Sequence, residues 1–267
     1  MKKIIILMPV YQDWDSLKKV LEEIDAIIQN IKDFEYSCLI INDGAQAANP
    51  KIIKPKSFKR FKIINMRENR GHARCNAFGL RYINSNISCD YVIVMDSDGE
   101  DRPAEIKELL KKIKEYPETS VVARRIKRSE GLIFKSLYQI HKLITFIFTG
   151  HKVNFGNYSC LIKKDIDILY NKPSLWSSYS GTVKKYLSKL NEIKSIRGQR
   201  YYGPSKMSLF NLIIHSFSII AVFKNVVFLR SALFIVILSF LQNLLGFTVI
   251  FLQILIVIFN LFIFGVS

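Results

Sequence analysis

The stretch Tyr91-Val92-Ile93-Val94-Met95-Asp96-Ser97-Asp98 constrains the fold more than any other part of the chain. Five apolar or aromatic residues in a row fit a strand covered on both faces, as in sheets with helices on each side. The run stops at two carboxylates one residue apart. Residues i and i+2 of a strand point the same way. Asp96 and Asp98 therefore face one spot beyond the strand's carboxyl end, where open α/β sheets bind ligands. Two like charges held that close raise a pKa unless a cation joins them. An all-oxygen donor set suits Mg²⁺ or Mn²⁺ better than zinc. Such an ion bridges the phosphates of a nucleotide; the plainer reading is a solvated Asp-rich turn.

The rest of the chain supplies a matching frame. Ile4-Ile5-Ile6-Leu7-Met8-Pro9-Val10-Tyr11 reads as an opening strand. Asp13 or Asp15 then caps a helix whose apolar stripe is Leu17, Val20, Leu21, Ile24, Ile28 and Ile31. A strand over 36–42 ends in Asn42-Asp43-Gly44, and a strand over 61–66 leads through Arg70-Gly71 into a helix over 72–84. Pro103 opens a helix to about 115. A strand follows at 119–123, then an apolar segment of helical period over 131–150. Strands alternating with helices predict an α/β fold, a mainly parallel sheet with helices on both faces.

The order Pro9-Val10-Tyr11, Asn42-Asp43-Gly44, Asn69-Arg70-Gly71 running into Ala73, Ala77 and Gly79, then Asp96-Ser97-Asp98-Gly99-Glu100 resembles the family 2 glycosyltransferases of the Rossmann-like GT-A fold. Within them it is most similar to the polyprenyl-phosphate glycosyltransferases of the dolichyl-phosphate mannose synthase group. The resemblance covers about residues 3–230. It implies a nucleotide-sugar donor, UDP- or GDP-linked, bound by Pro9, Tyr11, Asp13, Asp43, Arg70, Gly71, Asp96 and Ser97. It implies Mg²⁺ or Mn²⁺ on Asp98 with Asp96, and on Glu100, which stands where relatives often carry Gln. Catalytic roles fall to Asp98, to Arg125 and Arg128, which match an R-x-x-R after the fifth strand, and to Arg200 and Lys206 of a segment that closes over diphosphate in relatives. Many relatives have an acid in the segment Asn154–Ser159; here there is none until Asp165. An alcohol acceptor needs a base to take its proton, whereas a phosphate does not. The implied reaction is inverting transfer to a polyprenyl phosphate; a glycolipid or saccharide acceptor is the runner-up, and an inactive membrane-bound nucleotide-sugar binder is the rival of another class.

Charge is distributed unevenly. Residues 1–101 hold 15 Lys/Arg and 14 Asp/Glu, residues 102–230 hold 24 and 8, and residues 231–267 hold none. A basic block beside an uncharged apolar tail points to anionic substrates and lipid head groups. No zinc-finger spacing, RNA-binding aromatic signature or helix-turn-helix is present, so nucleic acid is not an expected partner; a homo-oligomer is compatible with the sequence. The 37 uncharged residues of the tail suffice for two short spans broken near Gln242-Asn243 or Gly246, or for one long tilted helix. The expected organisation is a catalytic domain over 1–204, an interfacial amphipathic helix over 205–225 and a transmembrane segment, read as a two-helix hairpin, over 226–267. With no signal-type segment before the first strand and Lys/Arg preceding the tail, the expected location is a multi-pass membrane protein with its catalytic domain cytoplasmic. The four cysteines form no C-x-x-C pair and are expected to be free thiols.

Overall fold

The computed structural model describes residues 1–44, 51–127, 132–203 and 209–267. Its centre is a seven-stranded sheet built from β1 (Lys2–Val10), β2 (Phe34–Asn42), β3 (Phe58–Asn65), β4 (Tyr91–Val94), β5 (Val121–Lys127), β6 (Phe155–Ile162) and β7 (Asn191–Ile196). The spatial order is β3-β2-β1-β4-β6-β5-β7. Six strands run one way; β6, antiparallel to both β4 and β5, runs against them. The sheet is therefore mixed, and the expectation of a mainly parallel one holds for all strands but β6.

Alternation along the strands divides the core in two. Ile4, Ile6 and Met8 of β1 face α1 (Trp14–Ile28) and α3 (Ile106–Glu115), where Leu17, Val20, Leu21, Ile24, Leu109 and Ile113 close the cluster. Ile5 and Leu7 face α2 (His72–Asn86), which contributes Cys75, Ala77, Leu80 and Ile83. This face continues into α5 (Lys163–Leu169) and α6 (Tyr179–Tyr186) through Ile166, Leu169, Tyr179 and Val183. Helices on both faces explain why β1 from Ile4 onward and β4 are apolar at every position rather than at alternate ones. All four cysteines are free and buried.

Beyond the sheet lie α4 (Leu132–Thr149), α7 (Leu209–Ala221), α8 (Lys224–Phe240), the short α9 (Gln242–Leu245) and α10 (Thr248–Val266). Ile220, Ala221, Val222, Phe223, Val227 and Ile263 form their shared core, packed against Ile144, Phe148 and Phe259. α8 and α10 form the expected helical hairpin, with the break at Gln242–Gly246. The reading of both arms as membrane spans is corrected. Among the described residues one helix, Thr248–Val266, is long and apolar enough to cross a membrane; α8 qualifies only together with α7, from which it is bent by 86°. The multi-pass assignment took both arms of the hairpin as long enough to span; α8, at 17 residues, does not qualify alone.

The sheet polarity gathers the chain's polar ends. The carboxyl ends of β1, β2 and β4 deliver Asp13, Asp43 and Asp96–Asp98 to one edge. Reversed β6 brings its beginning there: its register pairs Val94 with Ser159 and Ile93 with Cys160, so continuing it sets Asn157 opposite Asp96.

One close approach tests this core. A Cβ on Gly79 of α2 would lie 2.4 Å from Cδ1 of Leu7, a side chain with no exposure. We predict that Gly79→Ala destabilises the protein by about 1–3 kcal/mol through overpacking, despite alanine's better helix propensity. Combined with Leu7→Ala the cost should be less than the sum of the singles, since the second change vacates the space; chemical denaturation of the four proteins measures it.

Candidate active site

The carboxylates come first. Asp96, Asp98, Glu100 and Asp101 occupy six positions after β4. Asp101 is buried, 3% exposed, and its Oδ2 accepts the Asp96 N–H at 3.0 Å; its Oδ1 lies 3.6 Å from a guanidinium nitrogen of Arg125. Asp98 Oδ1 accepts the Glu100 N–H at 3.0 Å, closing the turn. Burial, then the charges of Asp96 and Glu100, push the Asp98 carboxyl up to about 6. Burial and the Asp96 charge push Asp101 up as well, with Arg125 opposing. These shifts are what the sequence spacing requires of like charges in a partly dry turn.

Cations and one amide answer them. Arg200 bridges two acids, donating from Nη1 to Asp98 Oδ2 at 2.5 Å and from Nη2 to Asp13. Arg197 pairs with Glu100, with Nε 2.9 Å from Oε2. Asn157 donates from Nδ2 to Asp96 Oδ1 at 3.1 Å. Ser97 Oγ donates to the Pro9 carbonyl at 2.6 Å, tying β1 to the acidic turn. Arg197 and Arg200 belong to a strap, residues 197–201, lying directly on that turn. The Gly198 N–H donates to the Glu100 carbonyl at 2.8 Å and the Tyr201 N–H to the Asp98 carbonyl at 3.0 Å. A Cβ on Gly198 would stand 2.4 Å from the Gly99 carbonyl oxygen, so only glycine permits this backbone contact. The strap's far end is anchored on α1, where Tyr201 Oη donates to Glu23 at 2.6 Å and Lys19 lies 4.5 Å from the Tyr201 ring centroid.

Asp43 holds the second turn. It is buried, and its two oxygens accept the N–H groups of Arg70 at 2.8 Å and Gly71 at 2.9 Å. Gly71 has φ +89° at the head of α2, a conformation that favours glycine. Tyr11 lies at the mouth next to Gln12, whose φ of +51° turns the chain from β1 into α1.

The structure thus brings together Pro9, Asp13, Asp96, Ser97, Asp98, Glu100, Arg125 and Arg200, with Asp43 and Gly71 forming the adjoining turn. Arg128 and Lys206 lie outside the described residues. Three of the expected site residues have partners of their own, and the expectation of Asp13 as a helix cap is corrected. Asp13 stands at the N-cap of α1 but makes no side-chain cap bond; its carboxylate turns to Arg200 instead. Glu100 is paired with Arg197, and among the described residues no group of three His, Cys, Asp or Glu is placed to hold an ion. Arg70 is paired with Glu68 at the exposed rim. Sequence reasoning does not single out Asp101, Glu23 or Tyr201. Asp101 carried a signal, a fourth acid in a run already over-charged; the Tyr201–Glu23 contact, 178 positions apart, carried none.

The donor set fits a divalent ion that arrives with its ligand. Mg²⁺ is commonly held by one or two carboxylates plus substrate phosphate oxygens rather than by an all-protein cage. Asp98 and Asp96 are such a pair, and the raised Asp98 carboxyl is the sign of a site short of positive charge.

Residues 5–178 match the family model described as glycosyl transferase family 2. The chain is similar to the undecaprenyl-phosphate 4-deoxy-4-formamido-L-arabinose transferase of Serratia proteamaculans, 24% identical over 218 residues, 79% of this chain and 65% of that protein. It therefore spans just under two thirds of that relative's length. It is also similar to a glycosyltransferase of Bacillus subtilis, 25% identical over 227 residues, 82% of this chain and 68% of that one. Among solved structures, glucosyl-3-phosphoglycerate synthase from Mycobacterium tuberculosis, in complex with Mn²⁺, UDP-glucose and phosphoglyceric acid, superposes with a TM-score of 0.56 at 15% identity, covering 85% of this chain and 80% of that one. Mannosyl-3-phosphoglycerate synthase from Rubrobacter xylanophilus gives 0.56 at 12% identity, covering 83% and 72%. The matched segment runs from β1 to the foot of α6 and contains Asp43, the acidic turn and Asn157: the chain belongs to glycosyl transferase family 2 and has its GT-A-like fold.

Proposed function

We propose that the protein transfers a sugar, with inversion, from a nucleotide sugar to an acceptor that brings its own phosphate. The observation that carries this reading is the acidic turn with its guanidinium partners: Asp96 and Asp98 at the end of β4, and Arg200 on Asp98. Asp43 and the Arg70–Gly71 turn would receive the nucleoside, with Pro9 and Tyr11 beside it. Asp96 and Asp98 would hold Mg²⁺ or Mn²⁺, which when bound neutralises charge on the diphosphate. Arg200, whose Nε is buried without a hydrogen-bond partner, has a donor to spare for the departing nucleoside diphosphate, and donors aimed at developing charge lower the barrier.

The acceptor side has an amide where a base would be expected. Asn157 is committed to Asp96 and cannot take a proton from an alcohol. A phosphate oxygen needs no such help: it attacks the anomeric carbon in line, on the face opposite the leaving diphosphate. A phosphate-bearing acceptor comes from two sources, a polyprenyl phosphate or a soluble sugar phosphate. The name of the Serratia relative supports the first. So do the exposed apolar side chains of α8 and α10, among them Leu229, Phe240, Phe251, Leu261 and Phe264, since large exposed apolar patches mark contacts. The mycobacterial structure holds a soluble phosphorylated molecule, phosphoglyceric acid, which shares the phosphate with the second source but is not a sugar phosphate.

The purified protein incubated with UDP- and GDP-sugars and each acceptor class tests this. Turnover is expected with a phosphate-bearing acceptor and not with the matching neutral alcohol. Equal turnover of the alcohol would instead indicate a saccharide or glycolipid hydroxyl acceptor, and nucleotide-sugar binding with no turnover on any acceptor an inactive binder. Asp98→Asn should abolish turnover and the metal dependence of nucleotide-sugar binding, because a charged oxygen ligand is lost; full turnover by wild-type protein in excess chelator contradicts the metal assignment.

The pH dependence has a definite sign. A carboxyl raised to about 6 is protonated below that pH and cannot ligate an ion until it loses the proton. Mn²⁺ affinity in the presence of an intact nucleotide sugar should fall as pH drops through 6, by roughly tenfold between pH 7 and pH 5. Titration calorimetry at several pH values measures it; a flat profile would show that Asp98 is not the titrating ligand.

A further inference from the structure

We propose that Arg200 competes with the divalent ion for Asp98, so that the ion binds only when a nucleotide diphosphate is present to take Arg200 over. The inference rests on the metal site of the proposed function and concerns the order in which its parts assemble. Asp98 Oδ2, the oxygen best placed by the acidic turn to hold an ion, accepts the Arg200 Nη1–H at 2.5 Å. Its Oδ1 is already used by the Glu100 N–H. An ion approaching Asp98 meets a guanidinium carrying the same sign of charge, and the two cannot share one oxygen without strong repulsion.

Three features keep Arg200 in that position. Asp13 accepts from Nη2, so the guanidinium is held between two carboxylates that are each about 15% exposed. Both pairs are sheltered enough to resist screening by salt. The strap is stitched to the acidic turn by Gly198 N–H on the Glu100 carbonyl and Tyr201 N–H on the Asp98 carbonyl, and Tyr201 is fixed to Glu23 of α1. This accounts for the uncapped start of α1: the Asp13 carboxylate is a positioning group for Arg200 and is not available as a helix cap. One donor of Arg200, Nε, is buried and has no partner. A diphosphate offers several charged oxygens that suit a planar guanidinium, enough to draw it off Asp98, and the same diphosphate brings the remaining oxygen ligands the ion needs. Exchange of Arg200 from carboxylate to phosphate and arrival of the ion at Asp98 are then one event.

The test reads Mn²⁺ binding directly, by the electron paramagnetic resonance signal of the free ion, at pH 7.5 with and without UDP or GDP. Wild-type protein should bind Mn²⁺ weakly alone and tightly with nucleotide. Arg200→Gln should bind Mn²⁺ alone about tenfold or more tightly than wild type, because a charged hydrogen bond to the ligand oxygen is gone, while its nucleotide affinity falls. Gly198→Ala, whose Cβ cannot fit against the Gly99 carbonyl, lifts the strap and should move Mn²⁺ affinity in the same direction with the arginine retained. Thermal unfolding establishes that each variant is folded; if Arg200→Gln is not, Gly198→Ala decides alone. Wild-type protein that binds Mn²⁺ without nucleotide as tightly as the variants overturns the inference and leaves the proposed function standing. Protein that binds Mn²⁺ neither alone nor with nucleotide overturns both.

Discussion

The molecule is organised around the mutual repulsion of four carboxylates in six residues at the end of a buried strand. Two unit charges 4 Å apart repel by about 4 kcal/mol at an effective dielectric of 20, and in this turn burial together with Asp96 and Glu100 pushes the Asp98 carboxyl up, while burial with Asp96 and Asp98 does the same to Asp101. Left alone, the turn would open or bind protons. It is stabilised by groups far along the chain: Arg125 on Asp101, Asn157 on Asp96, Arg197 on Glu100 and Arg200 on Asp98. They come from three places in the chain, β5, the start of β6 and the strap, so the acidic turn fixes where these must lie. The positive surplus of residues 102–230 has one of its uses here, inside the protein.

The reversal of β6 follows from the same need. A seventh parallel strand would present its carboxyl end to the site, and its connection would have to cross the sheet. An antiparallel strand presents its beginning, and with it Phe155-Gly156-Asn157. Gly156 lets the Arg125 guanidinium lie close against β6, since a Cβ there would come 2.9 Å from Nη2. Asn157 then meets Asp96 as a donor. An aspartate at that position would add a fifth negative charge to the turn.

The elements legible in the sequence are those whose burial is uniform or strictly periodic. β1, β2 and β4 announce themselves as apolar runs, α1 by its stripe at Leu17, Val20, Leu21 and Ile24, and the break of the C-terminal hairpin by Gln242, Asn243 and Gly246. β6 and β7 are not legible: Gly156, Asn157 and Ser159 interrupt the one, and Asn191–Ile196 is short and half polar. Their strand character comes from pairing with β4 and β5, information that lies in the partner. The same division holds at the site. Asp96, Asp98, Asp43 and Gly71 could be placed from local pattern, because a strand end and a turn set their positions. Asp13 was legible as a helix start but not as the partner of Arg200, 187 positions away. Composition alone also overstated the tail, since lack of charge does not set how long each helix runs, and α8 has 17 residues.

The pairing pattern bears on what kind of chemistry the site can perform. A general base working near neutral pH must be a group with a pKa close to that pH and free to accept a proton. Asp101 is buried beside Arg125, Glu100 is neutralised by Arg197, and Asp98 is held by Arg200 and on the proposed reading by the ion. Asp96 accepts from an amide that cannot itself move a proton. The acids of this turn are therefore arranged to hold cations, and on the proposed reading the cations turn to phosphate. An acceptor that arrives ionised asks nothing more of such a site than position and charge balance. A neutral hydroxyl would ask for a proton acceptor; Asp98 and Asp101, pushed up to about 6 and about 8, come near that range, but the one is engaged by Arg200 and the other is buried beside Arg125. The proposed preference for a phosphate-bearing acceptor thus rests on how the fold neutralises its own acidic turn, whether that phosphate is carried by a lipid or by a soluble molecule.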